Sequence, residues 1–191
     1  MTALLLGVRI DAPRPSEIQQ LIGNFLSDGK QHVIYTPNPE MIMAAQLDSD
    51  LLQSLNKSSL NVCDGRGIEF MRRFAVSGQG IRRLSGIDFL YSLLAEASVK
   101  KEPVYLLGSG SSAVITAAAK NLKERYPGIV IAGIHPGPKI DWKASPTEKY
   151  FQADEEVNER VISDIKARAP AGLVVGFGHG KQERWIAAEL P

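Results

Sequence analysis

A single cysteine, Cys63, cannot form an internal disulfide, and three histidines offer little material for a metal cage. The first scarcity points to a reducing compartment, the cytosol; the second leaves no metal expected. An excess of one charge is missing too. Because 22 Lys plus Arg face 21 Asp plus Glu, no global basic field draws the chain to nucleic acid or an anionic membrane, and any such contact is local. No apolar run approaches the roughly 20 residues of a bilayer span. The apolar opening Ala3-Leu4-Leu5-Leu6 is broken by Gly7 and Arg9 and has no basic stretch before it, so it reads as a first strand rather than a signal peptide. Repeats, low-complexity tracts and linkers are also absent. With 191 residues, 44% of them hydrophobic, one domain spanning 1–191 with a sizeable core is expected.

What the chain does contain is alternation of two periods. Ser16, with Gln19 three residues on, opens an amphipathic run through Ile18, Leu21, Ile22, Phe25 and Leu26 that Gly29 closes. Val33-Ile34-Tyr35 reads as a buried strand, and Pro39 suits the first turn of a helix carrying Met41, Ile42 and Ala45. A second helical stretch holds Leu51, Leu52 and Leu55, and Leu60 to Cys63 forms a short strand. Ser85, with Asp88 three residues later, predicts a helix from about Ile87 to Lys100. Strands Val104–Leu107, Ile129–Ile134 and Leu173–Gly176 interleave with helices Ala113–Tyr126 and Glu155–Ala167, and a last helix begins near Gln182. Such spacing implies βαβ units, hence an α/β fold with a Rossmann-like, mainly parallel sheet and helices on both faces. The stretch from His135 to Gln152, containing Pro136, Gly137, Pro138 and Pro146, reads as a long irregular loop, either mobile beside a site or a tolerated surface insertion.

In an open parallel sheet, ligands bind beyond the carboxyl ends of the strands. Those ends read Thr36-Pro37-Asn38-Pro39, Asp64-Gly65-Arg66-Gly67, Gly108-Ser109-Gly110-Ser111-Ser112, His135-Pro136-Gly137, and Gly176 through Glu183. They are expected to meet in one cleft. Gly108, Ser109 and Gly110 supply backbone N–H groups and a following helix dipole suited to a diphosphate, or else form a tight turn without ligand. The same loop matches G-x-G-x-x-A, but a nicotinamide site expects an acidic ribose ligand at the end of the next strand, where the sequence has His135. Asp64 can project as an acid–base group or serve as a cap in an Asp-Gly turn. Cys63 reads as a small buried residue, since no partner histidine is evident. Asp48-Ser49-Asp50 imitates a D-x-D metal motif but lies between helical stretches, which predicts a cap with a first-turn acid. His135 and His179 lack ligand spacing, and Trp185 reads as packing.

Taken in order, several segments resemble the WecG/TagA/CpsF family of bacterial glycosyltransferases over nearly the whole chain. They are Leu6-Gly7-Val8-Arg9-Ile10-Asp11, Thr36-Pro37-Asn38-Pro39-Glu40, Asp64-Gly65-Arg66-Gly67, Arg83-Leu84-Ser85-Gly86-Ile87-Asp88, Tyr105-Leu106-Leu107-Gly108, Arg125-Tyr126-Pro127-Gly128, and Gly178-His179-Gly180-Lys181-Gln182-Glu183-Arg184-Trp185-Ile186. The resemblance implies inverting, metal-independent and cofactor-free transfer of an N-acetylmannosamine-like N-acetylhexosamine from a UDP-sugar to undecaprenyl-diphosphate-linked N-acetylglucosamine. That step serves teichoic acid, common-antigen or capsule synthesis, in the cytoplasm and peripheral to the inner face of the cell membrane. By position, Asp64 would be the general base, Thr36 and Asn38 would line the sugar pocket, Arg83 would bind phosphate or sugar, and Lys181 and Gln182 would contact the donor.

The chain departs from the family pattern in three ways. Gly180 stands where the family has a proline, and the segment Lys139 to Gln152 is longer than expected. The sequence stops at Pro191, before the basic, membrane-contacting C-terminal appendage that the resemblance implies, so that the protein is either cut there or naturally short. Weak isolated activity, and self-association covering the exposed surface, are the corresponding expectations. The rival readings are a nicotinamide oxidoreductase and a nucleotide-sugar-binding subunit without turnover.

Overall fold

The computed structural model describes residues 2–62, 85–108, 110–144 and 149–189. It is an α/β structure in two compact units, Met1–Ser92 and Leu93–Pro191. Helices are numbered below in the order in which they occur among the described residues.

The first unit begins with a hairpin where the sequence suggested one strand. β1 (Thr2–Leu5) pairs antiparallel with β2 (Val8–Asp11) in the register Thr2↔Asp11 to Leu5↔Val8. The two-residue turn places Leu6 and Gly7 at φ 48° and 79°, the double left-handed conformation whose twist suits a hairpin. A leucine there hides the turn, because leucine rarely adopts positive φ. β3 (Ile34–Tyr35) pairs in parallel with β4 (Leu60–Asn61), and Asp11 bridges Val62 in parallel just beyond β4.

Helices α1 (Pro15–Phe25), α2 (Pro39–Leu47) and α3 (Ser49–Lys57) start where local chemistry allows. α1 begins earlier than Ser16 suggests: Arg14 is the capping residue, and its backbone N–H donates to Glu17 Oε2 at 2.8 Å. Asn38 Oδ1 caps α2 by accepting from Met41 N–H at 2.8 Å, with Pro39 in the first turn. Asp48 is buried and caps α3, accepting from the N–H groups of Asp50 and Leu51; it is the expected cap rather than half of a metal motif. Ile18 and Ile22 of α1, Met41 and Ile42 of α2, and Leu51 and Leu55 of α3 are buried. At about 1.5–3 kcal/mol per buried large aliphatic side chain, such faces carry most of the favourable energy.

A polar knot ties β2, β4 and the end of α3 together. Fully buried Asn61 donates through Nδ2 to the carbonyls of Arg9 (2.9 Å) and Leu55 (2.7 Å), accepts from Ser58 Oγ (3.0 Å), and gives its backbone N–H to Asp11 (2.9 Å). Arg9 pairs with Asp11 at 3.2 Å and donates to the Ser58 carbonyl. The segment Leu6 to Asp11, singled out in the sequence, is therefore structural cement.

Helix α4 (Gly86–Lys100) contains the unit boundary and begins as predicted: Ser85 Oγ accepts from Asp88 N–H at 3.2 Å and donates to its carboxylate at 2.6 Å. In the second unit β5 (Pro103–Gly108) is flanked in parallel by β6 (Val130–His135) and β9 (Gly172–Gly176), giving the order β6-β5-β9. Helices α5 (Ser112–Arg125), α6 (Glu155–Arg168) and α7 (Lys181–Glu189) complete the alternation.

The segment read as an irregular loop is instead a second hairpin. β7 (Ile140–Ala144) pairs antiparallel with β8 (Lys149–Ala153), closed at its base by Asp154 N–H donating to the Lys139 carbonyl at 2.9 Å. Ile140 packs in the core with Tyr105, Leu107, Val161, Ile165 and Trp185, joined by Phe151 and Ala153. Trp185 is fully buried, donates to Asn158 Oδ1 at 2.7 Å and meets Phe177 edge-on, so it is packing, as expected.

Candidate active site

In the first unit, the turn after β3 presents Thr36 and Asn38, both half-buried around buried Pro37. A Cβ on Gly86 would lie 2.9 Å from Thr36 Cβ, Cγ2 and Oγ1. The start of α4 therefore rests directly on the Thr36 side chain, and only glycine fits. Two of the loops highlighted in the sequence are thus brought together. Asn38 has its side-chain carbonyl committed to the α2 cap, so ligand contact would fall to its amide nitrogen. Cys63, Asp64 and Arg83 lie outside the described residues, as does Ser109 in the second unit. A cavity of about 350 Å³ in the first unit, lined by Thr2, Asp11, Glu17, Gln20 and Ser59 among others, includes neither Thr36 nor Asn38.

In the second unit the three parallel strands end at one edge, and the loops leaving them interlock. Gly108 has φ 125°, and a Cβ there would sit 2.4 Å from the Gly176 carbonyl oxygen of β9. Backbone meets backbone at this point, where the last pair of the β5 and β9 register leaves no room for a side chain. Gly110 N–H donates to the Pro136 carbonyl at 3.2 Å, tying the β5 loop to the β6 loop, and Gly137 packs against the Phe177 ring of the β9 loop.

The residue at the end of β6 is His135, in the place where a dinucleotide site would carry its ribose acid. Its Nδ1 accepts from Gly137 N–H at 2.9 Å, which puts the ring proton on Nε2. Burial holds its pKa below the ordinary value; Asp164 pulls it up and Arg160 pushes it down. The G-x-G-x-x-A match thus lacks its acidic partner.

Lys181 and Gln182 form the first turn of α7, and their N–H groups donate to the Gly178 carbonyl at 3.3 and 3.2 Å. Glu183 organises the turn from below. It is 1% exposed, accepts from Gly180 N–H at 2.7 Å and from Gln182 Nε2 at 2.9 Å, and so completes a cap across three residues. Burial pushes its carboxyl pKa up, while backbone N–H donors, the Gln182 amide and nearby His179 pull it down. Arg184, whose pKa burial lowers, lies over the Trp142 ring, its guanidinium carbon 4.8 Å from the centroid. Glu183 and Trp142 were not singled out as site residues. The Gly180-to-Glu183 spacing signals the first, whereas the role of Trp142 depends on hairpin docking that no local pattern encodes.

Among the described residues no helix is long and apolar enough to cross a membrane, and no group of three or more His, Cys, Asp or Glu side chains is arranged to hold a metal ion. The chain is 28% identical over 184 residues to proteins of Staphylococcus aureus strains NCTC 8325 / PS 47, COL and MRSA252, each named N-acetylglucosaminyldiphosphoundecaprenol N-acetyl-beta-D-mannosaminyltransferase. The alignment covers 95% of this chain and 65% of each relative, so the chain spans less than two thirds of their length. The sequence profile of the glycosyl transferase WecG/TagA/CpsF family matches residues 3–191. By that match across nearly its whole length, the chain belongs to the WecG/TagA/CpsF family of glycosyl transferases.

Proposed function

We propose that the protein transfers N-acetylmannosamine, or a closely related N-acetylhexosamine, from its UDP form to the sugar of undecaprenyl-diphosphate-linked N-acetylglucosamine, with inversion and without a metal ion. The observation that carries this reading is the family match over residues 3–191; the staphylococcal relatives' name supplies the sugar and the lipid-linked acceptor. The Gly-rich edge of β6-β5-β9 supports it, because helices α5 and α7 start beside these strand ends and a helix N-terminus suits a diphosphate.

Asp64 acts as general base on the acceptor hydroxyl, a role typically contributing about 10²–10⁴-fold. The proton moves from that hydroxyl to the carboxylate as its oxygen attacks the anomeric carbon, and UDP departs with the bonding pair. Arg83 and the N-terminal dipole of α5, into which the loop of Gly108, Ser109 and Gly110 leads, offset the charge building on the diphosphate; the Gly110 N–H itself is taken by the Pro136 carbonyl. Thr36 and the Asn38 amide hold the sugar. Lys181 and Gln182 meet the donor; the Gln182 nitrogen is engaged by Glu183, so its carbonyl oxygen accepts from a donor hydroxyl.

The test offers UDP-N-acetylmannosamine and a short-chain prenyl-diphosphate-linked N-acetylglucosamine to the full chain and to Asp64→Asn. Product from the wild type, lost by at least about 100-fold in Asp64→Asn with UDP binding retained, supports the assignment. Transfer unchanged by that substitution rejects Asp64 as base. Binding of UDP without product from any UDP-sugar turns the reading toward a subunit without turnover.

A further inference from the structure

The hairpin β7–β8 does more than fill the core. Its Trp142 ring covers Gly180 so closely that a Cβ there would lie 2.4 Å from Cζ2 and 2.7 Å from Cη2. The same ring carries the guanidinium of Arg184, three residues into α7. Gly180 is at φ 82° and its N–H is fixed on Glu183. Lys181 and Gln182 lie between these two anchors, so the indole bears on both ends of the turn that carries them.

We infer that Trp142 is a positioning residue for the nucleotide donor, acting through Gly180 and Arg184 to hold Lys181 and Gln182 in register with the diphosphate. The inference rests on the proposed transferase reading. Trp142 touches no reacting atom. Its contribution is to hold the donor-binding turn, which shows in Kd and KM rather than in kcat, and the hairpin gives this chain a means of setting donor fit that is separate from the base and from the sugar pocket.

The experiment is calorimetric titration of UDP into the full chain, with donor KM and kcat measured alongside. Wild type should bind saturably. Trp142→Ala should raise the UDP Kd and donor KM by about tenfold with kcat nearly kept, while Trp142→Phe, which retains a flat face for Gly180 and Arg184, should stay within about threefold. Gly180→Ala should weaken UDP by a similar factor in the wild-type background and by clearly less beside Trp142→Ala, since the ring it strikes is gone. Should Trp142→Ala not fold, Trp142→Leu is read in its place.

Equal UDP affinity in wild type and the Ala or Leu variant overturns the inference and leaves the transferase reading standing. So does a Phe variant as weak as Ala, or strict additivity with Gly180→Ala. Absence of UDP binding by the wild type refutes the donor assignment itself, and the inference falls with it.

Discussion

Replacing Asn61 with Asp changes one NH₂ group into an oxygen at nearly constant shape, at a site with no solvent exposure. The two carbonyls that receive Nδ2 hydrogen bonds, those of Arg9 at 2.9 Å and Leu55 at 2.7 Å, would then face a carboxylate. Ionised, it offers neither carbonyl a donor; protonated, it can serve only one. Each buried polar group left unsatisfied costs about 1–3 kcal/mol, and breaking a buried network so as to strand a charge costs about 3–5 kcal/mol. Asn61→Asp should therefore lose about 3–5 kcal/mol at pH 7.5, a fall in Tm of roughly 6–20 °C for a chain of this size. The new carboxyl gains its proton more readily folded than unfolded, where its pKa is about 3.9. The folded state then binds more protons across the range above that value, so the deficit against wild type should shrink as pH falls from 7.5 toward 4.5 and widen as it rises. Thermal unfolding followed by circular dichroism at several pH values reads both quantities. A variant as stable as wild type at pH 7.5, or a deficit that does not move with pH, would refute the account of the Asn61 knot.

Two further outcomes follow from the second unit. Gly108→Ala must relieve a contact of 2.4 Å with the Gly176 carbonyl at a φ that side chains rarely adopt, whereas Gly110, at φ 65°, has nothing within 4 Å; the first should cost about 3 kcal/mol or more and the second about 1, and equal losses in chemical denaturation count against the close-approach argument. Because burial lowers the His135 pKa, the unfolded chain takes up that proton first as pH drops through about 6.5, so stability falls on acidification. His135→Asn, which keeps an acceptor for Gly137 N–H, should flatten the decline in Tm between pH 7.5 and 5.5, and an unchanged slope shows that another group sets it.

Where one residue states its own conformation, the sequence was readable. Pro39 in the first turn of α2, Asp48 before α3, and Ser85 three residues ahead of Asp88 mark helix starts through residue type and spacing alone, and Asp48 and Ser85 make their capping bonds. The parallel α/β organisation followed from alternating periods. Errors arose where the chain contradicts a residue's habit or one signal masks another. Leu6 takes a left-handed turn, and Pro15, rather than Ser16, opens α1. In β7 the alternation Ile140, Asp141, Trp142, Lys143 is strand-like, but Pro136, Gly137, Pro138 and Pro146 outweighed it. The site was legible as a set of Gly-rich strand ends. That Gly108 faces Gly176, and Gly180 faces Trp142, depends on register and hairpin docking, which belong to tertiary structure. Asp64 and Arg83, where the chemistry is proposed, lie outside the described residues.

Position 180 also bears on how such sequences can diverge. An imino acid there would have no hydrogen for the Glu183 carboxylate and, with φ confined near −65°, could not follow the backbone at 82°. A proline at 180 would therefore send this turn along another path and free the Glu183 carboxylate from the N–H it now receives.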